Sequence, residues 1–166
     1  MFKWIGCILI MLASGGIGFS KSKELQKHLD ELEELKKLFY LIKSELAYTK
    51  APFEEIFDKI VKKVNVPYKE WLTKLGEKLC RKESGSFWEI WCNSIDENLQ
   101  KCELKEDELE ALKNVGKNLE YIENIELYLE QLEYNTQHTR EEYRSKQKLC
   151  QSMGIMGGIF LVILLL

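Results

Sequence analysis

The chain offers few side chains with which to do chemistry. Its only two histidines, His28 and His138, lie far apart, and neither has a companion at metal-ligand spacing, so each reads as a helix-face residue. Of five cysteines, Cys7 and Cys150 fall in apolar runs, while Cys80, Cys92 and Cys102 do not. No pair has the C-x-x-C spacing of a redox or metal site, and the pattern predicts reduced, packing cysteines in a cytoplasmic domain. A cysteine nucleophile would have to draw its histidine base from a distant part of the chain. There is no G-x-x-x-x-G-K-[ST] and no G-x-G-x-x-G to cradle phosphates, and no pair of glutamates is singled out as acid and base. The expectation is a non-catalytic protein with no cofactor and no metal.

Two features are better suited to binding. Residues 21–82 carry 15 basic and 11 acidic side chains, whereas residues 83–133 carry 4 and 14. An acidic surface of this kind fits a basic protein partner, and the overall acidity argues against nucleic acid. Its densest stretch is Glu103, Glu106, Asp107, Glu108 and Glu110, where a helix begins, and these five are the candidate partner-binding residues. The other feature is Gly154-x-x-x-Gly158 with Gly157 beside it, a spacing of small residues that lets two helices approach closely in lipid.

The elements that must position these residues follow from hydropathy. The chain has 166 residues, 45% hydrophobic and 31% charged, with only two prolines. Trp4 to Ser20 and Leu149 to Leu166 contain no charge, and all 27 acidic residues lie between. At about 1.5 Å per residue the terminal run reaches roughly 27 Å, close to the thickness of a bilayer core. The first run has the shape of a spanning helix or of a cleaved signal peptide. Lys21, Lys23 and Lys27 follow it, and Arg140, Arg144, Lys146 and Lys148 precede the second run. Both basic clusters thus lie on the body side, which places the body in the cytoplasm. The expected organisation is a transmembrane segment over 1–20, a cytosolic helical bundle over 21–148 and a second transmembrane segment over 149–166. The alternative is an exported, tail-anchored binding module whose first run is removed.

Within the body, Leu25, Leu32, Leu35, Phe39, Ile42 and Leu46 follow a heptad-like spacing, with His28 at the one missing position. Pro52 and then Asn65-Val66-Pro67 punctuate the next two helices, which carry Ile56, Phe57 and Ile60, and Tyr68, Trp71, Leu72 and Leu75. Ser86 and Glu89 form a capping box for a helix with Ile90, Trp91 and Ile95. An acidic first turn, Glu106-Asp107-Glu108, opens another helix. A last long helix, with Ile122, Ile125, Leu129 and Leu132 buried, turns polar from Asn135 and enters the membrane. The fold class is all-α: an antiparallel bundle of about six helices between two spanning helices, with Phe39, Trp71 and Trp91 buried.

The chain resembles the stage III sporulation protein AB family from end to end. The resemblance rests on the glycine-rich first span, on Ser44-Glu45-Leu46-Ala47-Tyr48 followed by Pro52-Phe53-Glu54-Glu55, and on Met153 to Gly158 leading into Leu161 to Leu165. The family often carries two Leu-Gly pairs; here Val115-Gly116 stands for one, and Leu119-Glu120 replaces the other. The resemblance implies a membrane component of the channel between mother cell and forespore. Its cytosolic helices look like those of the type II secretion inner-membrane platform protein. By that analogy its partners are a secretion-type sporulation ATPase on the cytosolic face, other channel subunits and membrane lipid, and it allows self-association. The expected location is the mother-cell membrane facing the forespore.

Overall fold

The computed structural model describes residues 2–49, 51–81 and 85–165, with side chains for 23–49, 51–81 and 85–149, Ser152 and Met156. Six α-helices follow one another: α1 (Phe2–Tyr48), α2 (Phe53–Val61), α3 (Tyr68–Cys80), α4 (Phe87–Asn98), α5 (Glu106–Val115) and α6 (Ile122–Leu165). A 3₁₀ turn, Gly116–Asn118, joins the last two, and no strand occurs among the described residues. The predicted all-α class is therefore observed. Among the described residues no helix is long and apolar enough to cross a membrane. The apolar side chains of 4–20 fall outside the described set, as do nearly all of those of 149–166, including the surroundings of Gly154, Gly157 and Gly158.

The chain divides into two compact units, residues 30–136 and the two ends, residues 1–29 with 137–166. In the unit made by the ends, His28 and Thr139 are buried and Lys146 pairs with Glu142 at 2.7 Å, one turn apart on α6. His28 thus fills its heptad position as the spacing requires. Thr136 and Thr139 are buried as well, so the stretch after Asn135 is less polar in use than in letters. Thr136 donates its hydroxyl to the Leu132 carbonyl at 2.6 Å, which lets it be buried at no loss of hydrogen bonding.

In the 30–136 unit, α1 and α6 run antiparallel. Lys36 pairs with Glu133 and Lys43 with Glu126, each at 2.7 Å, so seven steps along α1 match seven steps back along α6. Between these pairs the Phe39 and Tyr128 rings meet edge to face at 4.6 Å. Across α2, α3 and α4 the rings of Phe53, Phe57, Tyr68, Trp71, Phe87 and Trp91 form one connected cluster, with Trp71 on Trp91 at 5.0 Å. Trp71, Trp91 and Phe39 are fully buried, as the stripes predict.

The punctuation is realised at the helix ends. Pro52 occupies the N-cap position of α2, and Pro67, after a cis Val66–Pro67 bond, that of α3, neither with a side-chain cap. Ser86 and Glu89 make the predicted capping box: the Glu89 N–H donates to Ser86 Oγ at 3.3 Å, and the Ser86 N–H to Glu89 Oε2 at 2.8 Å. Gly85 precedes it at φ 147°, a conformation open to glycine at little cost.

Gly116 has the closest packing. The Trp91 indole donates to the Leu112 carbonyl at 2.9 Å and lies so near Gly116 that a Cβ there would overlap its five-membered ring. The surviving Val115-Gly116 pair therefore serves packing: it lets the end of α5 close over Trp91.

Candidate docking interface

The five candidate carboxylates do not share one role. α5 begins at Glu106 after Lys105, whose side chain has no acceptor to cap the helix. Glu108, three residues on, reaches back instead, and its Oε2 accepts from the Lys105 N–H at 2.9 Å. Its other oxygen lies 3.5 Å from Asn135 Nδ2 on α6. Glu108 is only 2% exposed, so it is withdrawn from the set of partner-binding candidates: it is a buried cap and not a surface charge. The neighbouring Tyr128 hydroxyl is held well above the ordinary phenol range, first by burial and then by the Glu108 carboxylate.

Glu103, Glu106, Asp107 and Glu110 are exposed. The Glu103 backbone is tied to α1, its N–H donating to Glu31 Oε2 at 2.7 Å. Beside it the Cys102 thiol is pushed up to about 12, chiefly by burial and further by Glu31 and Glu103. That thiol stays protonated at neutral pH and is a packing group.

Asp107 and Glu110 face a groove of about 410 Å³ between α5 and the start of α6. Asn114 continues the α5 wall, Asn124, Leu127 and Gln131 form the α6 wall, and Val115 and Tyr128 lie between. Among the described residues no lysine or arginine lines it. The nearby cations point the other way: Lys113 of α5 pairs with Asp96 of α4 at 2.5 Å, and the ammonium of Lys117, in the 3₁₀ turn, sits over the Trp88 ring of α4 at 5.3 Å. Thus α5 has a compensated side toward α4 and an uncompensated acidic side toward α6. Glu106, Asp107, Glu110, Glu123 and Glu130 have no ion pair among the described residues, whereas Glu126 and Glu133, turned toward α1, are both paired.

Leu127 belongs to this face and was not marked by the sequence reading. It is 64% exposed, and Tyr134, seven residues on along α6, is 70% exposed. The available signal was register: the buried stripe Ile125, Leu129 and Leu132 leaves Leu127 on the opposite side of the helix. An exposed leucine between unpaired carboxylates is what a protein contact uses, with an apolar centre and a charged rim. Among the described residues no three His, Cys, Asp or Glu side chains converge to hold a metal ion.

The described residues thus form an all-helical body with an acidic groove on one side. The chain belongs to the stage III sporulation protein AB family, whose profile matches residues 3–166. It is similar to Stage III sporulation protein AB of Bacillus subtilis (strain 168), at 24% identity over 172 residues and the whole of both chains. A solved structure of Stage III sporulation protein AB shares the fold, with a TM-score of 0.65 and 21% identity over 71% of this chain and 97% of that one.

Proposed function

We propose that this chain is a non-catalytic scaffold of the sporulation channel between mother cell and forespore. Two spanning helices, the apolar starts and ends of α1 and α6, hold it in the mother-cell membrane with its helical body in the cytoplasm. Family membership supports the sporulation role, and the basic residues flanking both apolar runs support the orientation. A secretion-type ATPase docks on the cytosolic face, and other channel subunits pack against the spans, where Gly154, Gly157 and Gly158 permit close approach.

The observation that carries the docking is the uncompensated acidic side of α5 and α6, with Glu106, Asp107 and Glu110 exposed and no cation in the groove. A face of one sign accelerates and orients association with a basic partner and responds strongly to salt. The test is binding of the purified sporulation ATPase to the full-length chain in nanodiscs at low and high salt. Saturable binding that weakens as salt rises is expected. No binding at low salt, with a folded protein, would remove the docking role.

A further inference from the structure

We propose that the groove between α5 and α6 seats a single amphipathic helix of the docked protein, bearing two arginines or lysines one turn apart and a large apolar residue that covers Leu127. This rests on the reading that a protein partner docks on the acidic face, and adds where it sits and what it must look like.

Four observations converge on that occupant. Asp107 and Glu110 are three residues apart on α5, hence neighbours on one side of the helix, at the spacing that two cations one turn apart on a facing helix can match. The α5 wall runs from Asp107 through the 3₁₀ turn to Asn118, roughly 16–18 Å, the length of about three helical turns. Leu127 on the opposite wall is 64% exposed, so an apolar anchor on the partner would cover surface that water now meets. Asn114, Asn124 and Gln131 complete the rim with groups that both donate and accept, which suits a polar helix flank of either kind.

Two other occupants fit less well. A divalent cation lacks a third ligand, since no such cluster exists among the described residues. A second copy of the chain would have to bring a basic helix face to the groove, and one such lysine cluster is already engaged. On α2 and just beyond it, Lys59 and Lys63 share Glu45 at 3.6 and 3.9 Å, and Lys62 lies 3.5 Å from Asp58. Those pairs would have to be given up on contact.

The test uses the full-length chain in phosphatidylcholine nanodiscs, so that lipid charge does not attract the probe. The probes are fluorescent helical peptides of about 16 residues. One has two arginines a turn apart beside a leucine, one has the same composition with the arginines on opposite sides, and one has glutamates for the arginines. The wild-type chain should prefer the first over the second by about tenfold and ignore the third. Combining Asp107→Asn, Glu110→Gln and Leu127→Gln should weaken the first by about tenfold or more, whereas Glu97→Gln, at a carboxylate paired with Lys78 outside the groove, should change it by less than about twofold. Asp107→Lys with Glu110→Lys should transfer the preference to the acidic peptide. Equal binding of the first two peptides, or indifference to the triple change in a protein that melts normally, overturns the proposal.

The same triple variant is then tried against the ATPase. Loss of ATPase binding supports groove and docking together. Unchanged binding overturns the groove and leaves the docking role standing. If the wild-type chain does not bind the ATPase, the docking role falls and the peptides alone decide the groove. Self-association of the wild-type chain that the triple change abolishes would overturn the proposal by assigning the groove to a second copy.

Discussion

The α2–α4 region and the α5–α6 groove are both built from packed helices and put their side chains to opposite uses. In the first, six aromatic rings interlock and Lys78 on its surface pairs with Glu97 at 2.6 Å. In the second, carboxylates of one sign stand without partners and a leucine faces water. Burial of large rings contributes stability, whereas exposed charge without a counter-charge contributes little. The difference separates a region whose side chains engage one another from one whose charges face solvent, and the two join at the end of α5, with Gly116 packed on Trp91 and Asp107 open to the groove.

That contrast can be broken from the core side first. Trp91→Ala removes the centre of the ring cluster and the hydrogen bond to the Leu112 carbonyl, and should cost about 3–5 kcal/mol in thermal or denaturant unfolding of the full-length chain. Gly116→Ala should cost about 1–3 kcal/mol, because the added methyl meets an indole that cannot move without disturbing Trp71 and Phe57. A loss no larger than that of a surface change would show that α5 does not close over Trp91 as described.

The acidic stretch supplies its own internal comparison. Glu108→Ala strips the Lys105 N–H of its acceptor and should cost about 1–2 kcal/mol, read from the same melts. Asp107→Asn with Glu110→Gln should change stability by less than about 0.5 kcal/mol, because losing Asp107 from the first turn of α5 and relieving like-charge repulsion oppose one another. If the two groove residues proved as costly as Glu108, the face would be structural and the division drawn above would fail.

Much of the body was legible in the sequence because it obeys local rules. Ser86 and Glu89 announce their helix by residue type and spacing, and the stripe Leu32, Leu35, Phe39 and Ile42 is buried throughout. Val64 is buried beyond the end of α2, and α5 stops at Val115 with Leu119 buried outside any α-helix, so apolar spacing marks burial better than it marks helix ends. Glu108 misled because an acidic first turn reads as a surface complement to the helix dipole, while its burial depends on Asn135 and Tyr128, far along the chain. The groove was only half visible. Its charge is a local excess that can be counted, but the turning of Lys113 and Lys117 toward α4 is a tertiary fact.

The central claim is that the acidic face is presented to the cytoplasm, where an ATPase can reach it, and Cys80 is the direct reporter. Cys80 is exposed, whereas Cys92 and Cys102 are partly covered and their thiols are held protonated, each chiefly by burial. A chain retaining only Cys80 should resist a membrane-impermeant maleimide in intact sporulating cells and react fully once the cells are opened. Labelling of Cys80 in intact cells would place the body outside, support removal of the first apolar run, and contradict the account.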